Sequence, residues 1–259
     1  MIDSPAPRKG PRPTFSVIVP SLNEEGTIER TLLAARSALG ESAELVVADG
    51  GSRDRTRFRA APHARVISVR RGRGAQLNAG ALEARGDILL FLHADTRLER
   101  GTGLRILRAL EDPAVVGGCC RFALDPPARF PSQFLLLQAG VNLRTRLFRT
   151  ATGDQAIFAT RAAFERVGGF PDYPLFEDVA FVRSLRRVGR FRPISSAAHT
   201  SRRRWERRGF WRTVWLHWIL RTAFWLRVSP HRLETWYRQP GGEPRSSSSA
   251  RALDRIPRR

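Results

Sequence analysis

Residues 87–100 read DILLFLHADTRLER, an apolar run from Ile88 to Leu92 that stops abruptly at His93, Ala94 and Asp95. A run of that length, closed by polar groups, reads as a buried strand with an imidazole and a carboxylate at its carboxyl end. The same grammar recurs upstream. FSVIVP (15–20), ELVVAD (44–49) and ARVISV (64–69) are short β-rich runs, and helical segments at 24–38, 54–60, 74–84 and 101–111 separate and follow the four. Strands separated by helices of that length pair in parallel through right-handed crossovers, so the N-terminal half predicts an open, Rossmann-like α/β sheet. Further β-like runs at 116–123 and 155–160 and helices at 132–148 and 177–188 continue the pattern.

In open parallel sheets, ligands bind outside the carboxyl ends of the strands. Here those ends carry PSLNEE, DGGSRD, RRGRGAQLNAG and HADT in turn, all polar or glycine-rich. The first turn has no glycine before Gly26, so it lacks the G-x-G-x-x-G fingerprint of a dinucleotide site and argues against hydride transfer. A methyltransferase is a better rival, because VVADGGS is a strand followed by an acidic, glycine-rich turn. That turn follows the second strand, however, and acidic strand ends continue beyond it.

Composition sets the outer bounds. A chain of 259 residues, 42% hydrophobic, has material for one large α/β domain. Its formal net charge of +21 comes from 45 basic residues, of which only Lys9 is lysine. A GC-rich coding sequence also produces such an arginine bias, so the excess by itself does not separate a phosphate-bearing substrate, a membrane surface and nucleic acid. Cys119 and Cys120 are adjacent within VVGGCCRFAL. They build no disulfide framework and lack zinc-site spacing, which makes them small core residues. MIDSPAPRKGPRP carries no apolar signal region, so the expected location is the cytoplasm. The expected organisation is a flexible tail at 1–13, a catalytic domain at 14–205, an amphipathic helical segment at 206–239 and a disordered Pro/Gly/Ser-rich tail at 240–259.

Five motifs in this order resemble the family-2 glycosyltransferases with the GT-A fold. They are Pro20-x-x-Asn23-Glu24, Asp49-Gly50-Gly51-Ser52-x-Asp54, Gly74-x-x-x-Asn78-x-Gly80, His93-Ala94-Asp95 and Glu177-Asp178. Within the family the chain is similar to short, single-domain bacterial members that carry FLHADT. The resemblance implies a mixed sheet flanked by helices, with amphipathic helices at the C-terminus, and transfer of a sugar from a nucleotide-diphosphate donor to a hydroxyl acceptor.

That chemistry needs charge stabilised on a leaving diphosphate while the acceptor hydroxyl loses a proton. Hard cations such as Mg²⁺ or Mn²⁺ take oxygen ligands and suit the first task, which makes Asp95 the expected metal carboxylate. The family pattern places an aspartate where His93 stands; an imidazole still hydrogen-bonds a ribose or phosphate, but it brings no negative charge. The resemblance assigns Asp49 to the nucleoside, with Pro20, Asn23 and Glu24 lining the same pocket. Arg71, Arg73 and the backbone at Gly74 open a helix, where N–H groups and guanidinium forks suit a diphosphate; Asn78 follows on that helix. Asp178, beside Glu177, is the expected general base of an inverting displacement. Asp154 and Gln155 lie on the acceptor-side segment.

Downstream, Arg204 and Trp205 resemble the end of the Q-x-x-R-W segment of polysaccharide synthases, with Ser201 in place of glutamine. Arg204 suits a diphosphate, Trp205 a sugar or the nucleotide pocket, and His199 is a candidate further metal ligand. FWRTVWLHWILRTAFWLRV (210–228) tempts a membrane-spanning reading, but Arg212, His217, Arg221 and Arg227 are costly in hydrocarbon. On a helical wheel these fall with Thr213 opposite Trp211, Val214, Trp215, Trp218, Ile219, Trp225 and Leu226. Arginine and tryptophan on opposite faces suit the headgroup boundary, so the expectation is peripheral binding at the inner face of the cell membrane and a lipid-linked acceptor. Leu216, Leu220 and Phe224 form a second stripe suited to packing on the catalytic domain.

Two other readings stand beside transfer. A sugar-nucleotide binder without activity would explain His93. An arginine-driven nucleic-acid binder is disfavoured, because Asp49, Asp54, Asp87 and Asp95 would repel a phosphate backbone; no nucleic-acid partner is expected.

Overall fold

The computed structural model describes residues 14–125, 132–202 and 209–237. Its N-terminal half alternates as the sequence predicts: β1 (Phe15–Ser21), α1 (Ile28–Leu39), β2 (Glu44–Asp49), α2 (Thr56–Ala60), β3 (Arg65–Ser68), α3 (Arg73–Glu83) and β4 (Ile88–Phe91). β5 (Thr96–Leu98), α4 (Thr102–Leu110), β6 (Val115–Leu124) and α5 (Ser132–Phe148) follow. A 3₁₀ turn (Gly153–Gln155) then leads into β7 (Ile157–Thr160), α6 (Arg161–Arg166), α7 (Glu177–Val188), β8 (Arg190–Thr200), α8 (Phe210–Trp225) and α9 (Pro230–Tyr237). The tails at 1–13 and 240–259, and Arg204 with Trp205, lie outside the described residues.

Eight strands form one mixed sheet in the order β3-β2-β1-β4-β7-β6-β8-β5. The first four are parallel, as crossover helices require; β7 is antiparallel to both β4 and β6. The register sets Phe91, the last residue of β4, opposite Ile157, the first of β7. The loop entering β7 therefore lies at the same sheet edge as the carboxyl ends of β1, β2 and β4.

Alternate residues along β1 enter two cores. Val17 and Val19 pack with Ile28 and Leu32 of α1 and Ile106 of α4, whereas Ile18 packs with Leu77 of α3 and with Phe181 and Leu185 of α7. Period-2 alternation buried on both faces is what the apolar runs of β1, β2 and β4 encode. Helices on both faces of a mixed sheet make the GT-A arrangement that the motifs imply. A third cluster, Phe122, Leu124 and Phe134 with Phe210 against it, joins α5 and α8 to β6.

β5 and β8 do not stand out in the sequence. β5 is three residues long, and RFRPISSAAHT of β8 contains a proline and few large apolar groups. Pairing specifies them instead: β8 runs parallel to β6 and antiparallel to β5, with a register irregularity opposite Cys119 and Arg121. Cys119 and Cys120 are fully buried free thiols, pushed up by burial, in keeping with a core role.

Gly118 of β6 allows the closest of these approaches. A Cβ there would stand 1.9 Å from the Arg192 carbonyl oxygen on β8, so an alanine must push the two strands apart. Gly118→Ala is expected to destabilise the chain by about 3 kcal/mol or more, the upper range for overpacking against an unyielding neighbour. Urea unfolding measures it, and a loss below about 1 kcal/mol would show that β6 and β8 adjust freely.

Candidate functional site

The turns after β1 and β2 are sewn together. Asn23 N–H donates to Ser52 Oγ at 2.9 Å, and Arg53 N–H donates to Asn23 Oδ1 at 2.9 Å. Glu24 N–H reaches Thr56 Oγ1 at 2.7 Å, and Glu24 Oε2 accepts from Thr27 Oγ at 2.9 Å. Asn23 takes a left-handed backbone, φ 55°, which asparagine tolerates better than most residues. Burial pushes the Asp54 carboxyl up, but hydrogen bonds from the Thr56 side chain and from backbone N–H groups outweigh it and hold the group below its ordinary value.

Asp49 is 1% exposed, and its carboxylate is committed to its own turn. Oδ2 accepts from Gly51 N–H and Ser52 N–H at 3.1 and 2.9 Å, while Oδ1 accepts from Ser21 Oγ and Ser52 Oγ. A carboxylate has about four acceptor positions, and all are used. Asp49 therefore shapes the turn at the strand end.

Two members of the third motif also face protein. Asn78 donates to the Phe170 carbonyl and accepts from Phe170 N–H, both at 2.8 Å. Gly74 lies so close to Pro171 that a Cβ would stand 2.7 Å from its carbonyl oxygen. Both hold the 169–171 segment, which leads to α7. Arg71 and Arg73 are exposed at the start of α3. Between Gly74 and Asn78 the sequence reading missed Gln76, which is buried and donates to the carbonyls of Ser21 and Ala48 at 2.9 and 2.7 Å, tying α3 to the ends of β1 and β2. The signal was a polar residue on the buried stripe of an amphipathic helix.

The last two motifs meet. The His93 ring lies against Gly153, where a Cβ would stand 2.4 Å from Nε2. Gly153 N–H donates to Asp178 Oδ2 at 2.6 Å, and Asp178 Oδ1 accepts from Val179 N–H at 2.6 Å. His93, Arg73, Phe91, Gly153, Glu177 and Asp178 line one cleft. α7 begins there because Phe176 takes a left-handed turn, φ 65°, and its first-turn carboxylates favour the helix dipole.

Asp154 Oδ1 accepts from Thr152 Oγ at 2.5 Å. Gln155 is fully buried, bonded to Thr145 Oγ at 3.1 Å and to Thr152 N–H at 3.2 Å, so it braces the 3₁₀ turn and offers nothing to an acceptor. Arg144 on α5 and Arg221 on α8 stand beside this turn, and charge coupling links both to Asp154 and Asp178. Neither was singled out as a site residue. In sequence Arg221 is one of the polar residues of an amphipathic helix, and only the fold brings it here.

Asp95 lies in the turn from β4 to β5, and its carbonyl accepts from Ser201 N–H at 3.2 Å. His199 pairs with Arg97 of β5, the strand that follows Asp95. Among the described residues no group of three or more His, Cys, Asp or Glu is placed to hold a metal ion. A carboxylate oxygen at Asp95 and an imidazole at His199 are donor types that Mg²⁺ or Mn²⁺ accepts alongside diphosphate and water oxygens.

Burial pushes the Asp178 and Glu177 carboxyls above their ordinary values, and the pull of Arg73 only partly offsets it. Between about pH 4, where an unfolded carboxyl ionises, and the higher pH at which the folded pair does, the native state holds more protons. Stability therefore falls as pH rises through that window. Asp178→Asn is expected to flatten the slope, read from thermal midpoints across it, and an unchanged slope would show that Asp178 carries no raised value.

The model of the family described as Glycosyl transferase family 2 matches residues 16–167. Glucosyl-3-phosphoglycerate synthase of Mycobacterium tuberculosis is 40% identical over 93 residues, 32% of this chain and 29% of that protein. The chain thus matches less than a third of the length of such curated relatives. The crystal structure of S. aureus TarS 1-349 in complex with UDP superposes with a TM-score of 0.57 at 20% identity, over 73% of this chain and 61% of that one. The M. tuberculosis glucosyl-3-phosphoglycerate synthase, solved with Mn²⁺, UDP and glucosyl-3-phosphoglycerate, gives 0.51 at 23% identity, over 73% and 72%.

Proposed function

The chain belongs to glycosyl transferase family 2, and on that basis we propose that it moves a sugar from a nucleotide-diphosphate donor to a hydroxyl acceptor by a single inverting displacement. The observation that carries the reading is the meeting of the His93 strand end with Asp178 through Gly153. It sets a strand end of the donor side against a buried carboxylate whose proton affinity burial has raised.

In the displacement, the acceptor oxygen forms a bond to the anomeric carbon as the bond from that carbon to the diphosphate oxygen breaks. The electron pair leaves on the diphosphate, and the hydroxyl proton passes to Asp178. Gly153 and Val179 N–H groups hold the carboxylate in place, and Arg73 balances Glu177 beside it. The sewn turns after β1 and β2 form a rigid floor for the nucleoside, with Pro20, Asn23 and Glu24 at its rim, and Arg71 and Arg73 face the phosphates. Asp95, with His199 on the neighbouring strand, would hold a divalent cation, which when bound offsets charge on the leaving diphosphate.

Support for a membrane contact comes from α8. Trp211, Trp215, Trp218 and Trp225 are 64–77% exposed, and Ile219 and Leu226 are exposed with them. Thr213 and Leu220 are buried on the opposite face, and Phe224 stacks on Phe176 with ring centroids 4.9 Å apart. No helix among the described residues is long and apolar enough to cross a membrane. An outward tryptophan face on a strongly cationic chain fits an anionic bilayer surface, and a lipid-linked acceptor would be delivered there.

UDP and GDP, each with Mn²⁺, test the donor site by thermal shift. The expected result is metal-dependent stabilisation by one of them, lost in Asp95→Ala and kept in Asp178→Asn, which instead loses transfer by about 10²–10⁴-fold. Stabilisation by neither nucleotide would overturn the reading. In flotation with vesicles containing phosphatidylglycerol, the wild type is expected to rise with the lipid and a Trp215→Ser/Trp218→Ser double variant to stay behind; equal behaviour of the two would remove the membrane contact.

A further inference from the structure

Arg144 and Arg221 come from helices that are far apart in sequence, yet they converge on one side of Asp178. Arg221 Nη2 donates to Thr150 Oγ at 3.2 Å, two residues before the threonine that caps the 3₁₀ turn. One turn further along α8, Phe224 stacks on Phe176, the residue that starts the helix carrying Asp178. The helix is thus pinned with Arg221 beside the catalytic cleft. Arg144 enters from α5, next to Thr145, whose hydroxyl braces Gln155.

Asp154 and Asp178 attract both guanidinium groups, yet burial leaves donors unfilled. Arg144 Nε and Nη2 are buried and have no hydrogen-bond partner among the described residues. Neither arginine closes an ion pair with Asp154 or Asp178 among the described residues. Buried donors left unfilled cost free energy, and two like charges brought together cost more, so the arrangement calls for an anion. Burial, then repulsion from Arg144, pulls Arg221 down to about 10 against the pull of Asp178 and Asp154.

α5 and α8 pack at β6, and both arginines lie within charge range of Asp178, the carboxylate read as the acceptor's base. We propose that Arg144 and Arg221 form an oxyanion-binding subsite for the acceptor, which carries a phosphate monoester or similar anionic group near the hydroxyl presented to Asp178. The proposal rests on Asp178 as the acceptor base. Arginine forks bind phosphate in two-point geometry, so the pair would both recognise the acceptor and fix its angle of approach.

The test uses the full chain with inorganic phosphate, glycerol 3-phosphate, and phosphatidylcholine vesicles with and without phosphatidic acid. Isothermal titration of phosphate is expected to saturate with the wild type and to weaken at least tenfold in both Arg144→Gln and Arg221→Gln, while UDP or GDP binding with Mn²⁺ changes less than twofold. Arg221→Lys, which keeps charge but loses the fork, is expected to fall between. Should one glutamine variant fail to fold, the other and Arg221→Lys carry the test. Tighter binding of glycerol 3-phosphate than of phosphate would assign the group to a soluble ester. Arg221-dependent recruitment by phosphatidic acid would assign it to a lipid. Unchanged phosphate affinity in the variants would overturn the subsite, and so would a parallel loss of nucleotide binding, which would return the pair to the donor. Arginine-dependent phosphate binding in a chain that binds neither nucleotide would sink the transferase reading and leave the anion site standing.

Discussion

One strand reversal organises this molecule. β7 runs antiparallel between β4 and β6, so the segment that enters it arrives at the edge where the parallel strands end. Had β7 been parallel, residues 153–155 would sit at the opposite edge, and Gly153 could neither face His93 nor donate to Asp178. The hydrogen bond at 2.6 Å from Gly153 to Asp178 fastens the start of α7 to that edge. The missing side chain at Gly153 is equally necessary, because any Cβ there would collide with the His93 ring. Strand direction, one glycine and one carboxylate thus fix the geometry on which the chemistry depends.

The first half of the fold was legible because its information is local. Apolar alternation along β1, β2 and β4 and helical spacing between them specify a parallel sheet without reference to distant residues. β5 and β8 escaped because pairing specifies them more than pattern does. Ser196 and Thr102 share a hydrogen bond across that part of the fold, and Thr96 meets Thr200, contacts that no window of sequence displays.

Within the site, sequence pattern located the polar residues better than it apportioned their work. Asp49, Asn78 and Gln155 all lie at or beside the expected edge, yet each is bonded to protein: Asp49 and Gln155 several times over, Asn78 through one donor and one acceptor to Phe170. A carboxylate or amide in a turn looks the same in sequence whether it will bind a ligand or a neighbouring backbone. The distinction rests on partners dozens of residues away, as with Asn78 and Phe170. Under the proposed reading such rigid turns still serve: a floor whose donors and acceptors are already satisfied would not rearrange when a nucleotide approaches, so less binding energy would go into ordering it.

α8 shows why a periodicity argument alone is incomplete. The wheel separates tryptophans from arginines, and the usual inference is that the apolar face turns inward. Here the stripe of Leu220 and Phe224 docks the helix, the tryptophans turn outward, and Arg221 on the polar side is carried into the protein. A guanidinium is expensive to bury, and this one lies beside a second. A helix stabilised only by packing would shed that charge for a leucine at little structural cost. Its position makes sense if α8 has two jobs, one face meeting a surface outside the protein and the other meeting an anion inside it. The two ends of one acceptor, its carrier and its charged group, would then be read by opposite sides of the same helix.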